Sequence, residues 1–236
     1  MEIILNYNKE IMDILIPAAG QATRMRGLPK FLLPIDESYT TLLENHINNL
    51  SNILDNDGRI LIGIRPDLLP IVKSLNLSAE NLVFIEMVTS TMNETILNLS
   101  ENSDSQHFQL IMPDTYFLGM QPYAQLDPNP ELCDLAIWKI RDEQRGKLGE
   151  VKIDANNFLC DLVDKNPNTM FDYSWGSLTF SRKLFKYIKK EEPHIGYSVS
   201  SALNDKQQIS TKLINGQYFD CGTPKEYIEL FRKLLL

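Results

Sequence analysis

The chain has 236 residues, 43% of them hydrophobic, and its 23 basic and 31 acidic side chains give a net charge of −8. That apolar content excludes a disordered chain. The acidic balance argues against nucleic acid as a partner, which would need a clustered basic face. No apolar run approaches the roughly 20 residues that cross a bilayer, so no membrane contact is expected.

The first segment, 1–10, lacks a basic n-region and a cleavage site and reads as a short leading strand or arm. Ile11–Ile16 reads as a strand whose apolar run, Ile14 to Ile16, marks it as buried and parallel, and it empties into the small residues Pro17 to Thr23. Thr41–Leu54 has helical periodicity, with Thr40 or Thr41 as N-cap and Glu44 at capping-box spacing from Thr41. Strands are predicted over Ile60–Ile64, Leu82–Glu86 and Phe108–Met112, with helices over Pro66–Leu75 and Met92–Leu99 between them. The polar stretch Ser100–His107 reads as a mobile loop. Beyond Asp114 the pattern changes to short strands over Leu135–Arg141, Gly149–Ile153, Phe158–Asp164 and Trp175–Phe180, with a turn at Asn156-Asn157. A helix from Arg182 to about Lys190 and a last helix from about Lys225 to Leu236, capped by Thr223 with Pro224 in its first turn, complete the chain.

Strand-helix alternation followed by short strands predicts an α/β, Rossmann-like fold: a mixed, mainly parallel sheet with helices on both faces. Without repeats or a linker, residues 1–236 read as one domain, with halves at about 12–115 and 116–236. Cys133, Cys160 and Cys221 have no metal-type spacing and read as buried free thiols in a reducing cytoplasm. His46, His107 and His194 share no motif, so a hydrolase triad is unsupported.

The chemistry concentrates at three predicted strand ends. After Ile16, small residues let backbone N–H groups approach an anion, and Arg24 and Lys30 add full charge, which suits a polyphosphate. The loop lacks the Gly-Lys-Ser/Thr ending of a Walker motif and the three glycines of a dinucleotide fingerprint. Gly20-Gln21-Ala22-Thr23-Arg24, then Pro29-Lys30 and Leu33-Pro34-Ile35, instead resembles the signature loop of the sugar-phosphate nucleotidylyltransferases. Ala22 stands in place of the family's second glycine, and the gap from Arg24 to Pro29 is shorter than usual. Phe219-Asp220-Cys221-Gly222-Thr223-Pro224, followed by Glu226-Tyr227, resembles the family's late motif.

That resemblance spans 12 to about 230 and implies transfer of a nucleotidyl group from an NTP to a sugar-1-phosphate. It further implies that Asp114, at the end of Leu110–Asp114, and Asp220 hold Mg²⁺. On its own residues, Asp114 reads first as a turn or cap after a strand. Ala18, Ala19, Gly20, Gln21, Ala22 and Thr23 are expected to bind the nucleotide, with Arg24 and Lys30 on its phosphates. Lys165, in a segment like the family's Val-Glu-Lys-Pro with Asp164 in place of the glutamate, is expected to hold the acceptor phosphate. Trp175 and Gly176 are expected to meet the sugar, with plain core the competing reading for Trp175. Thr91, in Thr89–Thr95, reads as a contact to the base or an N-cap, with capping slightly favoured. Family members often form dimers or tetramers, so a homo-oligomer is compatible. Alternatives are a non-sugar acceptor such as a choline phosphate, or an inactive nucleotide-binding regulator.

Overall fold

The computed structural model describes residues 12–20, 27–51, 58–75, 77 and 79–235. The expected leading arm and the loop residues Gln21, Ala22, Thr23, Arg24 and Arg26 lie outside them.

Among the described residues the main sheet has nine strands. β1 (Met12–Ala18) is central, with β2 (Ile60–Ile64) and β3 (Leu82–Glu86) to one side and β4 (His107–Ile111) to the other, all parallel. β9 (Tyr173–Ser181) runs antiparallel between β4 and β6 (Cys133–Lys139), and β10 (Ser210–Leu213) pairs parallel with β6 at the edge. β7 (Gly149–Ile153) and β8 (Leu159–Asp164) form a hairpin hung on β9. A separate two-stranded ribbon joins β5 (Thr115–Gly119) to β11 (Gly216–Asp220). This is the mixed, mainly parallel α/β architecture expected.

Strand periodicity builds a core on each face of the sheet. Leu15 packs toward α3 (Met92–Ser100) and α4 (Gly196–Asn204), whereas Ile14 and Ile16 pack toward α1 (Leu42–Ser51) and α2 (Leu69–Lys73). Burial of both faces is why β1 carries the apolar run Ile14–Ile16. A third cluster, with Phe219, Cys221 and Leu230, seats α5 (Pro224–Leu234) against the ribbon. The capping box at α1 is complete: Thr41 N–H donates to Glu44 Oε2 (2.7 Å) and Glu44 N–H to Thr41 Oγ1 (3.2 Å).

Three expectations are corrected. The segment after Arg182 is a short 3₁₀ stretch, Arg182–Tyr187, at whose start the Arg182 guanidinium turns back onto the carbonyls of Ser103 and Ser105 and lies over Phe108. The stretch Ser100–His107 is tied down, with Ser103 Oγ donating to buried Asp13 (2.6 Å), which also takes Arg59 (2.7 Å). All three cysteines are free, but Cys160 is exposed, because alternation along β8 buries Leu159 and turns its neighbour outward.

His46 on α1 is fully buried, edge-on to Phe117 and Tyr123, with Nδ1 2.6 Å from the Tyr123 hydroxyl. Burial pushes its pKa down to about 4. The unfolded chain, titrating near ~6.5, therefore takes up this proton first. The contribution is intact above that value and lost as pH falls toward 4, by up to about 3 kcal/mol. Urea melts across this range should show the loss, and His46→Gln should remove it. Matching pH profiles for the two proteins would exclude His46 as its source.

Candidate active site

The carboxyl ends of β1 and β4 and the ribbon converge on one edge of the sheet, where open α/β folds bind ligands. Two adjoining cavities lie there, of about 260 and 220 Å³, with Lys30, Met92, Asp114 and Pro193 in the wall of both.

The first cavity is lined by Ala18 and Gly20 after β1, by Phe31, and by the entry to α3. Among the described residues, none beyond its chain neighbours lies within 4 Å of where a Gly20 side chain would begin, so the backbone is approachable from their side. Ala19 points elsewhere: it is fully buried in the core with Leu15 and Leu61. Thr91 is the N-cap of α3, accepting from Glu94 N–H (3.0 Å) and donating to the Lys190 carbonyl (2.5 Å). Its hydroxyl is therefore engaged in holding two segments together.

The second cavity is lined by Lys147, Lys165, Asp164, His194, Trp175, Tyr218 and Asp220, together with the shared residues. Asp114 and Asp220 meet here through the ribbon: Asp220 pairs with Thr115 across β5 and β11, and Cys221 N–H donates to the Asp114 carbonyl (2.9 Å). Lys30 Nζ lies 2.9 Å from Asp114 Oδ2. Burial, and then the charge of Asp114, push the Asp220 pKa up to about 6, although Gly222 N–H donates to its Oδ1 (2.8 Å).

Two facing carboxylates, one disfavoured as an anion by the other, form a donor set that suits a hard divalent cation. Mg²⁺ is usually held by one or two carboxylates and completed by substrate phosphates. Among the described residues, no group of three or more His, Cys, Asp or Glu side chains forms an all-protein metal cage. Asp114 and Asp220 would hold the ion, with its remaining positions left to water and phosphate.

Lys165 follows β8 in a left-handed conformation (φ 49°), held by its N–H on the Leu148 carbonyl (3.1 Å). A non-glycine residue in that region is held there by its surroundings. Trp175 is 7% exposed, with its indole across Gly149, so it belongs to the core and also lines the cavity. Gly176 is not among the residues lining these two cavities; the register between β6 and β9 skips it, and a β-carbon there would sit 2.5 Å from the Tyr218 ring. Its smallness accommodates a bulge and an aromatic ring.

Lys147 and His194 were not singled out by the sequence reading. Neither has a motif, although Pro193-His194-Ile195-Gly196 marks a chain break before α4 where a side chain can enter the edge. The segment 189–194 is fastened to α3: Met92 N–H donates to the Pro193 carbonyl (3.1 Å), and Asn93 Nδ2 to that of Lys189 (3.0 Å).

This architecture is the fold of the nucleotide-sugar pyrophosphorylase and nucleotidyltransferase structures. A UDP-glucose pyrophosphorylase solved with UDP-glucose superposes with a TM-score of 0.75 at 17% identity, covering 95% of this chain and 98% of that one. The inositol-1-phosphate CTP transferase from T. maritima gives 0.72 at 14% identity, covering 95% and 96% of the two chains. HddC from Yersinia pseudotuberculosis gives 0.70 at 18%, covering 94% and 99%. No protein-family model matches the sequence, and no curated protein matches it. Among the described residues, no helix is long and apolar enough to cross a membrane.

Proposed function

We propose that this protein is a Mg²⁺-dependent nucleotidyltransferase that joins an NTP and a sugar-1-phosphate to give an NDP-sugar and pyrophosphate. The observation that carries the reading is the convergence of Asp114, Asp220, Lys30 and Lys165 where two adjoining cavities meet. An acceptor phosphate oxygen attacks the α-phosphorus, and the bond from that phosphorus to the bridging oxygen of the pyrophosphate breaks. The nucleophile is already anionic, so the residues need only align it and neutralise charge. A bound Mg²⁺ supplies charge neutralisation on the transferring phosphoryl group. Lys30 and the loop after β1 serve the triphosphate, with Arg24 expected to join them, and Lys165 serves the acceptor phosphate. The reducing cytoplasm suits this chemistry and the free thiols.

The UDP-glucose pyrophosphorylase supports a sugar acceptor by its bound UDP-glucose. A polyol phosphate is the second reading, favoured by the comparable superposition of the inositol-1-phosphate CTP transferase.

The test is pyrophosphate release from each common NTP, with Mg²⁺ and a panel of sugar, inositol and choline phosphates. Release that requires one NTP and one acceptor together is the expected result. Silence across the panel overturns the proposal. Lys165→Ala should raise KM for the acceptor by about tenfold, with a much smaller change for the NTP, since a charged hydrogen bond is worth roughly 1.5–3 kcal/mol. An equal rise for both substrates would show that the lysine does not distinguish the acceptor.

A further inference from the structure

Leu33-Pro34-Ile35 and Tyr227 lie at the ends of the two signature motifs, and none of them lines either cavity. They meet each other instead. The Tyr227 hydroxyl donates to the Pro34 carbonyl (2.6 Å), across 193 residues of chain. Leu42 N–H donates to the Leu33 carbonyl (3.0 Å) and Ile35 N–H to that of Thr40 (2.8 Å), so Pro34 and Thr41 face each other as a pair that exchanges no bonds. The Pro34 carbonyl therefore points out of this short ladder, and proline has no N–H of its own to offer. Tyr227 supplies the donor that the carbonyl needs.

The bond closes a ring around the reacting groups. Lys30 opens a three-residue 3₁₀ turn, Lys30–Leu32, and its carbonyl takes Leu33 N–H (3.0 Å). Its ammonium crosses to Asp114 Oδ2 (2.9 Å), and the Asp114 carbonyl takes the N–H of Cys221, next to Asp220 (2.9 Å). α5 follows, starting at Pro224, and carries Tyr227 back to Pro34.

The members of this ring are not held equally. The two carboxylates flank the paired strands β5 and β11, and Asp220 also takes Gly222 N–H. The Lys30 turn is short and has no side-chain cap at its start. Leu33 and Ile35 share an apolar cluster with Phe219, Cys221 and Leu230, but apolar contact is non-directional and sets no fixed height. The tyrosine hydrogen bond fixes both a direction and a distance.

We propose that Tyr227 is a positioning residue for Lys30: it holds the turn where the lysine ammonium meets both Asp114 and the incoming triphosphate. The proposal rests on the assignment of Lys30 to the triphosphate in the transfer reaction. It adds a residue outside both cavities through which that lysine is placed.

The experiment is a double-mutant cycle. Tyr227→Phe removes the hydroxyl and keeps the ring, which packs on the same apolar cluster and on Phe231. It is combined with Lys30→Met and, as a control, with Lys165→Ala. Calorimetry measures binding of the α,β-methylene analogues of the common NTPs with Mg²⁺. Pyrophosphate release gives KM for each substrate, and thermal melts establish that the variants are folded. Tyr227→Phe should weaken the tightest analogue by about threefold to tenfold, the worth of one neutral hydrogen bond at most. KM for the acceptor should not change. In the Lys30→Met background the substitution should cost nothing further, and in the Lys165→Ala background its cost should be undiminished.

Equal cost in the wild-type and Lys30→Met backgrounds, a rise in acceptor KM matching that for the NTP, unchanged analogue binding, or a Tyr227→Phe protein that does not stay folded each overturns the inference. Coupling of Tyr227 to Lys30 in analogue binding, with no pyrophosphate release by wild type, would defeat the transfer reaction and leave the positioning role standing. Release with additive substitutions would do the reverse, and failure of wild type to bind any analogue would overturn both.

Discussion

Asp220→Asn is expected to lower kcat/KM by about a hundredfold or more while leaving the protein as stable as before. The variant keeps an oxygen for the Gly222 N–H but removes one of the two negative charges that face each other at the cavity. Loss of a group that fixes charge at the reacting phosphoryl costs ~10²–10³ in rate, by analogy with removal of a single stabilising donor. The mutant should need far more Mg²⁺ to reach its own maximum. Its melting temperature, measured without metal or nucleotide, should be unchanged or slightly higher. The Asp220 pKa is raised in the fold, so its ionised form is disfavoured there relative to the unfolded chain, and neutralising it relieves that repulsion. A large fall in melting temperature would show that Asp220 is a structural residue. Normal kcat/KM and Mg²⁺ dependence would remove it from the chemistry.

Arg141→Ala should destabilise the protein by about 3–5 kcal/mol, the usual result of stripping one partner from a buried ion pair. Its guanidinium reaches Glu226 Oε1 and Glu229 Oε1, each at 2.6 Å, and lies 4.2 Å over the Phe219 ring. The Glu226 side chain is only 10% exposed and would keep Gln144 Nε2 (2.9 Å) and the positive end of α5. Those partners place the expected loss toward the lower end of the range. Arg141→Lys should rescue little, because one ammonium cannot reproduce a fork that grips two carboxylates. Adding Glu226→Gln to Arg141→Ala should recover part of the loss, because no unpaired charge is then left at that position. Urea denaturation measures all three variants, and a cost below about 1 kcal/mol for Arg141→Ala would make its ion pairs surface bridges in energetic terms. Because β11 leads from Tyr218 to Asp220, this network also steadies the strand that carries the second carboxylate.

The parallel half was legible because its strands are buried on both faces. β2 and β3 have the predicted limits, and β1 and β4 differ from prediction by two residues or fewer at either end. β5, β10 and α4 left no comparable trace. β5 and β10 are short and partly exposed, and α4 starts on glycine and is rich in serine. The two carboxylates were readable one at a time, but their meeting depends on β5 pairing with β11 across about a hundred residues of chain, and no local pattern records that. The Tyr218 ring against Gly176 was not legible, because glycine permits several kinds of close approach and sequence alone does not say whether the neighbour is a ligand, a bulge or a ring. Lys147 and His194 escaped because a lone basic residue is interpretable only once its neighbours in space are known.

The hydrogen bonds that fasten 189–194 to α3 give the two cavities a common partition, with Met92 and Pro193 exposed to both. A partition of that kind cannot be shifted for one occupant alone. If an occupant of one cavity displaces it, the other cavity changes with it, and by reciprocity two ligands would then alter each other's binding by the same factor.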